Sequence, residues 1–259
     1  MAVAKLPPIY KMKLRVNKRK SLKCGLVVLL ISSIAAISIS GYNIIRYKID
    51  SDNLKENQKI IEELVKEEKD EGLIVDFNKL KEQNDEVVGF LKVNGTNIDC
   101  PIVKAYDNSF YLNHGFDKKY NILGWPFVDY RNKIDGEDKN IIMYGHNLND
   151  GTFFGSLINV LSSDWQSKEE NQTIMFVTEK GTKTYQVFST YEFKPEKYYI
   201  TTEFESDEAY ISFLNTIKTR SNHDYGIETS QNDKILTLSS CIGTGQARVV
   251  LHAKEINNS

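Results

Sequence analysis

Proline and glycine are scarce in this 259-residue chain, at 5 and 15 residues, and no repeat period or low-complexity block occurs. These absences exclude a collagen, a mucin-like stalk, a solenoid array and a wholly disordered protein. With 41% hydrophobic and 26% charged residues, the composition predicts one sizeable folded domain plus extra segments. Acidic residues are missing from the N-terminal stretch, where Lys5 to Lys23 hold eight basic side chains. The remainder carries 25 Lys and Arg against 35 Asp and Glu. A net-acidic body does not attract phosphate backbones, so nucleic acid is not expected as a partner.

Charge of either sign is missing from Cys24 to Ile45, a run of 22 residues. At about 1.5 Å rise per residue such a helix crosses a hydrocarbon core of about 30 Å. Lys11, Lys13, Arg15, Lys18, Arg19, Lys20 and Lys23 precede the run, whereas only Arg46 and Lys48 closely follow it. The positive-inside rule then leaves the N-terminus in the cytoplasm and everything after about residue 46 outside. A cleaved signal peptide is the competing reading, with Ala35–Ala36 as a peptidase site, but its apolar region is normally shorter. The expected organisation is a basic cytoplasmic tail (1–23), a transmembrane signal anchor (24–45), an extracellular helical segment (46–83) and a β-rich domain (84–259).

Cysteine is limited to Cys24, Cys100 and Cys241. The two outer thiols sit in a compartment that permits pairing, yet a domain of this size does not need a staple, so both are expected free. Residues 50–71 are helix formers with Leu54, Ile60, Ile61 and Leu64 at helical spacing, and a second short helix is expected at Asp76–Gln83. Beyond them lie eight β-rich runs: 87–93, 97–103, 122–128, 140–146, 172–178, 183–193, 234–241 and 247–254. Joined largely by turns, with Asn94–Gly95 and Lys180–Gly181 as hairpin signals, they predict a closed or nearly closed antiparallel barrel. Three helical interruptions are expected, at Asp107–Asn113, Thr152–Leu161 and Glu203–Arg220. The last is opened by Ser206 as N-cap, with Ala209, Ile211, Phe213, Leu214 and Ile217 as its apolar set.

Cys241 ends the β segment Ile235–Cys241 and is followed by Ile242-Gly243-Thr244-Gly245, so its thiol is presented at a strand end. In 247–254 a period-two alternation puts Arg248, Val250 and His252 on one face. A guanidinium on a strand that seeks the core faces a cleft or an anion; a solvent-facing charge is the alternative. A cysteine nucleophile needs an imidazole to stabilise its thiolate and to protonate a leaving amine. Of the four histidines, His114 sits in a turn and His223 among polar loop residues. His146, in Tyr144-Gly145-His146-Asn147, and His252, beside Arg248, remain as rivals, and spacing alone does not choose.

Thr237-Leu238-Ser239-Ser240-Cys241 closely resembles the TLxTC box of sortases, with Ser240 in place of the usual Thr. Arg248 on the following strand and a histidine after an apolar strand upstream complete that family's triad in order. The resemblance spans roughly residues 50–255. It implies a mostly β fold with peripheral helices, an eight-stranded sortase-like barrel preceded by N-terminal helices and a transmembrane helix. It makes Cys241 the nucleophile, His146 the general acid/base and Arg248 the residue that polarises the scissile carbonyl. The N-terminal helices and the helix at 203–220 look like class B sortases, in which positions matching Asn108, Leu112, Tyr144, Tyr199, Ile200 and Ser239 line the sorting-signal groove. The departures are Ser240 and the short Cys241-to-Arg248 loop, which leaves little room for a substrate wall of its own.

The implied activity is that of a Gram-positive, membrane-anchored cysteine transpeptidase. It would cleave a C-terminal sorting signal of secreted surface proteins at a Thr-Gly or Thr-Asn-like bond, through a Cys241 thioester. The acyl group would pass to an amine of a peptidoglycan precursor or a pilin, with no metal and no cofactor. A thiol endopeptidase that releases rather than joins shares every one of these residues. A non-catalytic wall-binding module with Cys241 packed is the third reading.

Overall fold

The computed structural model describes the backbone of residues 18–68, 72–194, 196, 198–242 and 247–256. The basic tail before residue 18, residues 243–246 and the side chain of Cys241 lie outside the described residues. The chain divides into two units, Met1–Lys48 and Ile49–Ser259.

Helix α1 (Lys18–Glu62) contains the uncharged run. Its most apolar stretch has a mean hydropathy of 2.2 and buries none of its surface. One apolar N-terminal helix therefore has the length and composition of a membrane span, which a signal sequence shares. The Ser32 and Ser33 hydroxyls donate to the Leu29 carbonyl at 2.9 and 2.8 Å, so neither leaves a bare polar group on that surface.

The helix expected to run to residue 71 ends at Glu62. Its continuation is a hairpin of β1 (Val65–Glu68) and β2 (Gly72–Val75), paired Val65 to Val75 and Lys66 to Ile74. The helix-forming charges of 65–68 yield to strand pairing with a β-branched partner, and Lys92 on the barrel wall holds Glu67 at 2.5 Å. Helix α2 (Phe77–Gln83) follows, capped by Asp76, whose carboxylate accepts the Lys79 N–H at 3.1 Å.

Each of the eight β-rich runs supplies a barrel strand. These are β3 (Val87–Val93), β4 (Ile98–Val103), β5 (Phe127–Val128), β6 (Asn140–Gly145), β7 (Thr173–Thr178), β8 (Gly181–Phe193), β9 (Ile235–Ile242) and β10 (Ala247–Ile256). They close in the order β10-β8-β7-β3-β4-β5-β6-β9. The barrel is mixed and not wholly antiparallel: β4 and β5 run parallel, as do β6 and β9. A parallel pair needs a long crossover, which the chain between β6 and β9 provides. The run at 122–128 gives only a two-residue strand. Gly124 at φ +63° turns the chain, and the Trp125 indole is pinned to the Pro101 carbonyl at 2.9 Å before pairing begins.

The crossover holds a 3-10 segment at Phe153–Leu161, a short helix α3 (Ser163–Gln166) and helix α4 (Asp207–Thr219). The Ser206 hydroxyl accepts the Ala209 N–H at 3.2 Å and starts α4 as expected. The buried stripe of α4 is Tyr210, Phe213, Leu214 and Ile217, packed on Phe188 and Ile235. Ala209 and Ile211 are exposed instead, because the stripe follows the i, i+3, i+4, i+7 spacing from Tyr210. The main core lies inside the barrel, with Leu91, Phe176, Tyr185, Leu238, Val249 and Leu251 all buried.

Candidate active site

Register places the triad positions before any side chain is considered. On the parallel pair β6 and β9, Tyr144 faces Ser239 and Gly145 faces Ser240, so His146 and Cys241 are the next residues along. On the antiparallel pair β9 and β10, Cys241 is the partner of Arg248. Three adjacent strands thus bring His146, Cys241 and Arg248 to one rim of the barrel.

A cavity of about 490 Å³ opens at that rim. Among the described residues it is lined by Asn108, Leu112, Tyr144, His146, Tyr199, Ile200, Ser239 and Arg248, all of them expected site positions. Phe127, Gly145 and Glu196 also line it and were not foreseen. Phe127 was findable only through pairing, since it lies opposite Tyr144 on β5. Glu196 carries no motif.

His146 is half-buried, and its Nε2 lies 2.7 Å from the Leu112 carbonyl, which can only accept, so Nε2 carries a proton. Gly124 makes room for this ring, and Gly145, next to His146 in the chain, makes room for Phe154. A Cβ on Gly124, at φ +63°, would sit 2.5 Å from the Tyr111 carbonyl oxygen and 3.0 Å from His146 Cδ2. One on Gly145 would sit 2.5 Å from Cγ of the buried Phe154. The Tyr199 and Ser239 hydroxyls are bonded to each other at 3.0 Å in a buried position beneath the cavity.

The rival imidazole is elsewhere. His252 is wholly buried, and burial lowers its pKa to about 3. Thr237 donates its hydroxyl to Asn140 Oδ1 at 2.7 Å, so it accepts from His252 Nδ1 at 2.8 Å. Tyr198 donates to the Tyr191 hydroxyl at 2.9 Å, and Tyr191 lies 2.9 Å from His252 Nε2. The chain of donors is complete with a neutral ring protonated at Nδ1, which makes His252 a structural residue. Both 248 and 252 have β8 and β9 as neighbours, but 248 lies near the start of β10 at the rim. Position 252 lies mid-strand, on the face opposite the core residues Val249 and Leu251, packed against Phe188 and Tyr191.

His114 stacks on Phe110 at 4.0 Å and bonds the Phe110 carbonyl at 2.7 Å, and His223 lies in the loop after α4. Cys100 is a buried free thiol whose pKa burial pushes up, so it is not paired with Cys241. Among the described residues no group of three or more His, Cys, Asp or Glu side chains is placed to hold a metal ion.

Comparison with known proteins gives the same class. The sortase domain family model matches residues 91–256. Sortase B of Staphylococcus aureus is 30% identical over 244 residues, covering 92% of this chain and 99% of that protein. Sortase B of Listeria monocytogenes is 35% identical over 168 residues, 64% of this chain and 67% of that one. The solved Staphylococcus aureus sortase B–substrate complex superimposes with a TM-score of 0.66 at 32% identity, over 71% of this chain and 85% of that one. The chain belongs to the sortase family. Within it the relatives are class B enzymes, and the activity is that of a cysteine transpeptidase.

Proposed function

We propose that Cys241, His146 and Arg248 carry out transpeptidation at the barrel rim. The observation that carries this reading is the register, which makes Cys241 the strand partner of Arg248 and puts His146 at the end of the neighbouring strand. The Cys241 thiolate attacks the carbonyl carbon of the scissile peptide bond in a sorting signal, and the oxygen takes up the negative charge. Arg248 stabilises that oxyanion with charge-assisted hydrogen bonds. Because Nε2 of His146 is committed to the Leu112 carbonyl, Nδ1 is the nitrogen that hands its proton to the departing amine. The carbon–nitrogen bond breaks and a Cys241 thioester remains. A primary amine then attacks the thioester, neutral Nδ1 takes up the proton it loses, and the thiolate leaves.

Asn108, Leu112, Tyr144, Tyr199, Ile200 and Ser239 form the groove for the sorting peptide, supported by their place around one cavity. The uncharged part of α1 anchors the enzyme in the membrane, with the basic tail inside and the catalytic domain outside, supported by its hydropathy and the flanking charges. The acceptor is an amine of a peptidoglycan precursor or a pilin in a Gram-positive wall.

The test is mass spectrometry of the full chain incubated with a labelled library of sorting peptides, with and without an oligoglycine amine. A mass increase on Cys241 that vanishes in Cys241→Ala, and a peptide–amine conjugate when acceptor is present, are expected. Hydrolysed peptide alone would assign an endopeptidase instead, and a thiol probe that ignores Cys241 would remove the nucleophile.

A further inference from the structure

Directly below the groove, Asp129 is fully buried just after β5, and none of the site residues named from the sequence includes it. Its carboxylate gathers donors from three separate segments. Arg131 gives its backbone N–H and Nε to Oδ1, at 3.0 and 2.8 Å, and Nη2 to Oδ2 at 2.7 Å. The Tyr144 hydroxyl donates to Oδ2 at 2.9 Å and Asn108 Nδ2 at 3.0 Å. The same Arg131 Nη2 reaches on to the Ile200 carbonyl at 2.9 Å. Asn108, Tyr144 and Ile200 all line the cavity, and one carboxylate ties them together, two directly and one through a guanidinium.

These bonds fix what the groove offers. Tyr144 has a single proton and spends it on Asp129, so only its oxygen lone pairs face a ligand. Asn108 Oδ1 accepts the Tyr130 N–H at 3.0 Å and one Nδ2 proton goes to Asp129, which leaves one N–H. Burial would raise the Asp129 pKa, but hydrogen bonds from Arg131 outweigh it and hold the carboxyl below its usual range, so it is ionised at neutral pH. Burial and the Asp129 charge push the Tyr144 phenol up, so its proton stays in place.

We propose that Asp129, braced by Arg131, is a positioning residue for peptide binding: it orients Asn108 as a donor and Tyr144 as an acceptor, and clamps the Ile200 wall. The groove then takes an extended peptide that presents a carbonyl to Asn108 and an N–H or hydroxyl to Tyr144. This rests on the groove reading above.

The test compares full-length Asp129→Asn, Arg131→Lys, Tyr144→Phe and Asn108→Ala by steady-state peptide kinetics and by the rate at which iodoacetamide alkylates Cys241. Loss of hydrogen bonds to a charged acceptor predicts a KM raised about tenfold or more in Asp129→Asn. Its alkylation rate should stay within about threefold of the parent because no peptide takes part, and so should its kcat, because groove contacts made equally in the bound and transition states enter KM alone. Arg131→Lys keeps the charge without the fork and should fall between. Adding Tyr144→Phe to Asp129→Asn should cost less than the two single effects combined. An unchanged KM in folded Asp129→Asn, or a joint fall of kcat and alkylation rate, overturns the proposal. If Asp129→Asn does not fold, the Arg131→Lys and Tyr144→Phe cycle decides, with additive effects counting against it. Unchanged KM in both Asn108→Ala and Tyr144→Phe would instead sink the groove reading, and a raised KM there with none in Asp129→Asn sinks this proposal alone.

Discussion

Two imidazoles with opposite surroundings divide the histidine chemistry of this barrel. His252 is held neutral by burial, with a folded pKa of about 3 against an ordinary 6.5. Its unfolded form takes up a proton below about pH 6.5 that the folded form refuses until about pH 3, so stability is full above that window and falls as pH drops through it. The slope is at most about 1.4 kcal/mol per pH unit. Denaturant midpoints of the detergent-solubilised chain at pH 7 and pH 5, above most carboxylate titration, should show the loss, and His252→Gln should flatten it. An equal slope in both proteins would refute the assignment. The sequence alone could not separate this histidine from His146, because alternation along β10 gives 248 and 252 the same face and says nothing of Phe188, Tyr191 and Tyr198, which cover that face at 252. Legible in the sequence were the strand segments whose pairing brings Tyr144 beside Ser239 and Cys241 beside Arg248. Asp129 and Arg131 were not, since a carboxylate in a turn looks solvated until Tyr144 and Asn108 are seen to converge on it.

At the scale of elements, strand runs were readable because alternation and β-branched content survive in one dimension, whereas partners do not. The parallel pairing of β6 with β9 sets the site, yet it depends on a crossover whose length alone was visible. The β1–β2 hairpin was hidden for the opposite reason: residues 65–68 favour helix locally, and only pairing with Gly72–Val75 overrides that. The end of β6 carries a sharper consequence. Gly145 abuts the Phe154 ring so closely that Gly145→Ala must move either a fully buried aromatic or the strand end that bears His146. A displacement of about 1 Å at a reacting group costs on the order of 10²-fold in rate, so kcat/KM should fall by about that factor. The cap on α4 is a milder case. Ser206→Ala removes the acceptor for the Ala209 N–H and should lower stability by about 1 kcal/mol in a denaturant titration, with kcat unchanged because α4 packs on Phe188 and Ile235, away from the rim. A loss of kcat in Ser206→Ala without a loss of stability would contradict that separation.

For the molecule as a whole, the division after Lys48 makes a quantitative demand on where the catalytic unit begins. The Asp50 carbonyl accepts the Asn121 side-chain N–H at 2.9 Å, and its carboxylate accepts the Ile122 backbone N–H at 3.1 Å. Leu54 and Ile61, on the last turns of α1, are buried in the main core. Burying two such side chains stabilises by roughly 1.5–3 kcal/mol each, and two net hydrogen bonds add about 1 kcal/mol each. Together that is roughly 5–8 kcal/mol, comparable with the whole stability of many domains at about 5–15 kcal/mol. A protein starting at Ile49 should therefore fold, unfold cooperatively and turn over peptide like the full chain. One starting at Glu63 should lose most of its stability, although every residue of the barrel and the cavity is still present. Chemical denaturation of the two truncated proteins measures the difference, and sedimentation with lipid vesicles separates the other role of α1: the full chain should pellet with the lipid, and the protein starting at Ile49 should stay in the supernatant. Equal stability of the two truncated proteins would mean that the last turns of α1 are dispensable packing, and a full chain left in the supernatant would remove the anchor.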